Sequence, residues 1–116
     1  MTAPRNVRIV IEEMLDHLEY VLAKAQNLSP TEFRADRDIR QSVERSLEII
    51  SEASRLLPAA LKETKPEISW RKVADFGNVL RHAYFGVNSD IVLRIAKDDL
   101  VPLRDALLSM RHNLDC

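Results

Sequence analysis

The stretch Arg5-Asn6-Val7-Arg8-Ile9-Val10-Ile11-Glu12-Glu13-Met14-Leu15-Asp16-His17-Leu18-Glu19-Tyr20-Val21-Leu22-Ala23-Lys24-Ala25-Gln26-Asn27 decides the fold. Val7, Val10, Ile11, Met14, Leu15, Leu18, Val21, Leu22 and Ala25 recur at steps of three and four, with Glu12, Glu13, Asp16, Glu19 and Lys24 off that line. A period near 3.6 stacks the apolar residues on one side of a helix and leaves the charges on the other. The pattern predicts a long amphipathic helix over residues 5–27, whose stripe needs partner helices to cover it.

The partners follow in order. Ser29-Pro30-Thr31-Glu32 reads as a helix start, with a capping serine, a proline in the first turn and a carboxylate at the capping-box position. It predicts a short turn that packs Phe33 inward. Asp36 is placed to cap a second long helix with the stripe Ile39, Val43, Leu47, Ile50, Ala53 and Leu57. Its outer side carries Arg40/Glu44 and Glu48/Glu52/Arg55 at helical spacings, expected as exposed pairs. A short segment is expected over residues 58–64, and Pro66 disfavours helix at Lys65. Ser69 caps a third helix from Trp70, with Val73, Ala74, Phe76 and Leu80 inward. Asn88 or Ser89 caps the last, with the stripe Ile91, Val92, Ile95, Leu100, Leu103, Leu107 and Met110. Pro102 lies inside that stripe and clashes with the carbonyl four residues earlier, which predicts a kink near Asp98. The expected architecture is all-α: one up-and-down bundle of four to five helices over residues 1–116, joined by short connections.

Composition agrees. A chain of 116 residues buries roughly two-thirds of its unfolded surface. With 46% hydrophobic residues it can form a core without disulfides or metal. Two glycines are too few for the turns of a sheet protein. Seventeen basic and eighteen acidic residues exclude capture of nucleic acid by overall charge, so any such contact must be local. The one cysteine, Cys116, allows no intrachain disulfide and no cysteine-based metal site. No apolar run approaches the ~20 residues of a membrane span, and the first residues lack a signal-peptide core. A cytoplasmic protein with no membrane contact is expected.

The chemistry concentrates in Gly77-Asn78-Val79-Leu80-Arg81-His82-Ala83-Tyr84. His17 reads as a bundle-edge residue and His112 as part of a tail. No two histidines share the i, i+3 or i, i+4 spacing that would turn ligands to one metal, so neither a metal nor another cofactor is expected. His82 differs in its neighbours. Asn78 is one helical turn earlier and Arg81 is adjacent, so the amide is placed to orient the imidazole or touch a ligand. Read alone, the segment has two meanings. It is either a polar site or a helix end whose cations favour the C-terminal dipole, with Tyr84 and Phe85 as an apolar plug.

A resemblance bears on that choice. The order Val43, Arg45-Ser46-Leu47-Glu48-Ile49-Ile50-Ser51-Glu52-Ala53, Leu56-Leu57-Pro58, Pro66-Glu67-Ile68-Ser69-Trp70, His82-Ala83-Tyr84-Phe85-Gly86-Val87 and Asp98-Asp99-Leu100-Val101-Pro102-Leu103 resembles the HepT family of HEPN-type helical domains. The resemblance implies a metal-independent ribonuclease toxin of a toxin–antitoxin pair. It also implies a homodimer with the two motifs in a cleft at the interface, RNA (tRNA among the substrates) as target, and a minimal nucleotidyltransferase as antitoxin. The family motif is an arginine, four to six residues, a histidine, one residue and a tyrosine. His82 then matches the acid/base and Tyr84 the tyrosine that the antitoxin adenylylates. Asn78 matches the polar residue that follows the motif arginine. That arginine is Gly77 here, which leaves Arg81 as the replacement cation. Ser51 stands where the family's second helix usually has glycine. The alternative is a non-catalytic HEPN module that binds a nucleotidyltransferase and a nucleotide, a reading that Gly77 favours.

Overall fold

The computed structural model describes the backbone of residues 4–83 and 89–114 and the side chains of residues 6–80 and 89–114. The helices are α1 (Pro4–Ala25), α2 (Pro30–Ala35), α3 (Arg37–Ser54), α4 (Ala59–Lys62), α5 (Trp70–Ala74), α6 (Phe76–Ala83), α7 (Ser89–Arg94) and α8 (Leu100–Leu114), with a π-helical segment, Ile95–Asp99, joining the last two. No strand occurs among the described residues. The all-α bundle is as expected, with α1, α3, α5–α6 and α7–α8 as its four rods. It measures 44 × 24 × 22 Å.

The stripe of α1 is the spine. Ile11, Met14, Leu18, Val21 and Ala25 are fully buried, between α3 and α8. Across from them lie Val43, Leu47 and Ile50 of α3 and Leu100, Leu103, Leu107 and Met110 of α8. Each such side chain contributes about 1.5–3 kcal/mol when removed from water, so these three stripes carry most of the fold.

The caps form as the local sequence dictates. Ser29 Oγ accepts from the Glu32 amide at 3.1 Å, while Glu32 Oε1 accepts from the Ser29 amide at 2.9 Å, a closed capping box. That bonding holds the Glu32 carboxyl below its ordinary pKa. Phe33 is driven inward and is fully buried. Asp36 Oδ1 accepts from the Ile39 amide at 3.0 Å and starts α3. Ser69 Oγ accepts from the Lys72 amide at 3.4 Å and starts α5.

Three expectations need correction. Arg40 and Glu44 are not an exposed pair, because Glu44 is only 8% exposed and Arg40 donates instead to the Arg34 carbonyl. Burial raises the Glu44 pKa, with Arg40 opposing the shift in part. Arg55 is exposed as expected but does not pair with Glu48 or Glu52, since its guanidinium donates to the Ala74 carbonyl of α5. The third helix is broken at Asp75 into α5 and α6. The break is shallow, because the Asn78 and Val79 amides both donate to the Asp75 carbonyl, at 3.0 and 3.4 Å.

Pro102 acts where expected. Its ring excludes the carbonyl four residues back, and the helix absorbs the conflict as a π turn over Ile95–Asp99. The extra residue re-aims the polar side chains of that turn. Lys97 donates to the Leu28 carbonyl behind α2, and Asp99 pairs with Lys72 of α5 at 3.2 Å.

Candidate functional site

The motif segment falls on α6, whose inner face is set by Phe76 and Leu80, both buried and one turn apart. That register places Asn78 outside, where it is exposed, and His82 one turn beyond it in the last turn of the helix. Arg81 precedes His82 on the same backbone; the side chains of both lie outside the described residues, as does Tyr84. The Asn78 amide donates to Asp75 Oδ1, which ties the first turn of α6 to the α5–α6 corner.

Gly77 lies against α3. A Cβ built on it would come no closer than 4.0 Å to Ser51 Oγ, an ordinary contact. Ser51 Oγ donates to the Ala74 carbonyl at 2.9 Å. Arg55, one turn further along α3, donates to the same carbonyl through Nη2 at 2.7 Å. Two side chains of α3 thus clamp the C-terminal end of α5, three residues before Gly77. Arg55, Ser69, Arg71, Lys72, Ala74 and Asp75 line an open cleft of about 550 Å³ at this corner. It holds three cations against one carboxylate, and Lys72 is also paired with Asp99. Sequence reasoning missed this cleft. The adjacent Arg71-Lys72 after Trp70 was a signal, but the part played by Arg55 is visible only once α3 and α5 are packed.

The remaining histidines lie on other helices. His17 sits in the α1–α3 seam, with Nδ1 3.4 Å from Ser46 Oγ and Nε2 3.3 Å from Glu13 Oε1. His112 lies in the last turns of α8. Among the described residues, no three of His, Cys, Asp or Glu gather closely enough to hold a metal ion.

Comparison with known proteins is decisive for the family, because the model of the HepT-like ribonucleases matches residues 6–110. The chain belongs to the HepT-like ribonuclease family. A relative from Thermococcus cleftensis named "Probable ribonuclease HepT" is 31% identical over 107 residues, covering 92% of this chain and 97% of its own. A Methanocaldococcus jannaschii protein, named an RNase by provisional assignment, is 30% identical over 100 residues, covering 86% of this chain and 92% of its own. One from Caldanaerobacter subterraneus subsp. tengcongensis, named in the same way, is 33% identical over 88 residues, covering 76% of this chain and 79% of its own. No solved structure gives a significant match. For this HepT-like chain the matched region spans α6 whole, so the segment from Gly77 to Tyr84 is part of the shared domain. Among the described residues no helix is long and apolar enough to cross a membrane.

Proposed function

We propose that this HepT-like chain is the ribonuclease toxin of a toxin–antitoxin pair and cleaves RNA without a metal ion. Membership of the ribonuclease family carries the reading, together with the placement of His82 in the last turn of α6. The reaction is an internal phosphoryl transfer. The ribose 2′-oxygen forms a bond to the adjacent phosphorus, the bond from phosphorus to the 5′-oxygen breaks, and the products are a 2′,3′-cyclic phosphate and a free 5′-hydroxyl. One group must take the 2′-hydroxyl proton and another must protonate the leaving oxygen. A histidine with a pKa near 6.5 serves either role near neutral pH. In a homodimer, two His82 rings supply both. Arg81 supplies the positive charge for the phosphorane, and Asn78 orients the groups around it.

The dimer seat is the C-terminal end of α3 and the residues just after it. Leu56 is 69% exposed and joins Ile49 and Ala53 in a shallow groove edged by Arg45, Glu48 and Glu52. The nucleotidyltransferase partner silences the toxin by adding adenylate to Tyr84, two residues from His82, where the added bulk and charge obstruct RNA. The cytoplasm is the compartment in which this pair and its RNA meet.

Gly77 favours a second reading, a non-catalytic module that binds the nucleotidyltransferase and a nucleotide. Expression of the chain without its partner separates the two. The toxin reading requires slowed growth that His82→Ala abolishes; cells indifferent to the wild-type chain would contradict it. Incubation with the partner and ATP should add adenylate mass to the wild-type chain and none to Tyr84→Phe.

A further inference from the structure

We propose that the cleft between the end of α3 and the α5–α6 corner is a phosphate subsite, with Arg55 and Arg71 gripping the RNA backbone beside the His82 turn. The inference rests on the reading of the chain as an RNA-cleaving protein and names a part of the surface that holds the strand.

Charge and its availability are the first argument. Of the three cations in the cleft, Lys72 is held by Asp99. Arg71 is exposed and forms no ion pair with another described residue. Arg55 spends one of its five N–H donors on the Ala74 carbonyl, which anchors the guanidinium at the corner and leaves its other donors for a ligand. A planar fork anchored in advance suits phosphate oxygens better than a free chain, since less side-chain entropy is lost on binding. The one carboxylate in the cleft, Asp75, accepts from the Asn78 amide, which offsets part of its repulsion toward an anion.

Position is the second argument. Ser51 faces Gly77, and Arg55 is one turn from Ser51 on the same helix, bonded to the same carbonyl. Arg55 therefore brings a guanidinium to the corner from which α6 runs toward His82. From Phe76 to His82, α6 rises about 9 Å at 1.5 Å per residue. A stacked strand covers that in about three nucleotides at ~3.4 Å each. One strand can lie in the cleft and still pass His82.

The test is binding of a fluorescent, fully 2′-O-methylated RNA oligonucleotide, which lacks the attacking hydroxyl, measured by anisotropy across a salt series on the full chain. Arg71→Gln and Arg55→Gln are each expected to weaken binding several-fold. Arg71→Gln should also lower the salt slope by about 0.7, the loss of one single-strand phosphate contact. Arg37→Gln, at the far end of α3, should bind as wild type. Thermal melting of Arg55→Gln separates loss of the clamp from loss of binding; Arg71 has no clamp to lose. Wild-type affinity and slope in both cleft variants would overturn the subsite, and with cleavage intact it alone would fall. RNA binding that depends on Arg71 in a chain that does not cleave RNA would keep the subsite and overturn the nuclease. A wild-type chain that binds no RNA overturns both.

Discussion

Gly77 faces Ser51 across the α3–α6 contact, with 4.0 Å between a Cβ at residue 77 and the serine hydroxyl. Gly77 and Ser51, both singled out in the sequence by the resemblance, are therefore neighbours in the fold. The serine uses its hydroxyl on the Ala74 carbonyl.

The room at Gly77 has a measurable consequence. A methyl group there meets only an ordinary contact, and glycine inside a helix costs roughly 0.5–1 kcal/mol relative to alanine. Gly77→Ala is expected to stabilise the protein by about that amount in urea unfolding. Ser51→Ala should cost about 0.5–1 kcal/mol, the low end for a lost hydrogen bond, because Arg55 still serves the same carbonyl. A destabilising Gly77→Ala would show the α3–α6 contact to be tighter than described.

Glu44 gives the stability a pH signature. Its folded pKa lies above the ordinary 4.5 because burial disfavours the charged form. Above its folded pKa the carboxylate is charged in both states and costs stability. The cost disappears as pH falls through the folded pKa toward 4.5. Glu44→Gln should therefore raise the melting temperature at pH 7 and lose its advantage below about pH 4.5. Glu32 has the opposite sign: its pKa is lowered, so its contribution is present above 4.5 and lost as pH falls through the folded value. The comparison of Glu44→Gln with wild type cancels that second effect. An advantage unchanged from pH 7 to pH 4 would contradict the assignment.

Pro102 holds the π turn, and the turn holds Asp99 against Lys72. Replacing the proline with alanine should let α7 and α8 join as one α-helix. That rotates residue 99 by about 100° and ends the pairing. A double-mutant cycle on Lys72 and Asp99 is expected to give about 0.2–1 kcal/mol of coupling in the wild-type background, as for an exposed pair, and none in Pro102→Ala. Coupling that survives the substitution would mean that packing, rather than the proline, sets the turn.

Much of the fold was legible because periodicity and caps are local signals. The stripes of α1 and α3, the Ser29 capping box and the disturbance ahead of Pro102 all follow from residues within one or two turns of each other. What the sequence did not reveal depends on packing between distant elements. Glu44 reads as surface because its spacing to Arg40 suits an exposed pair, yet it is buried. Arg55 reads as a partner for the glutamates of its own helix because the carbonyl it serves belongs to α5. Of the site, the sequence supplied the motif and its order, and the structure supplied the α6 register and the basic corner beside it.

The central claim is that His82 makes this chain a nuclease that needs no metal. Its most direct test is cleavage of a single-stranded RNA by purified wild-type and His82→Ala protein in excess EDTA, with the product ends identified. The account predicts cleavage by the wild type alone, with 2′,3′-cyclic phosphate and 5′-hydroxyl ends and a loss in His82→Ala of at least about 100-fold, the low end for a general acid–base group. Wild-type protein that leaves RNA intact, or cleavage that persists undiminished in His82→Ala, would contradict it.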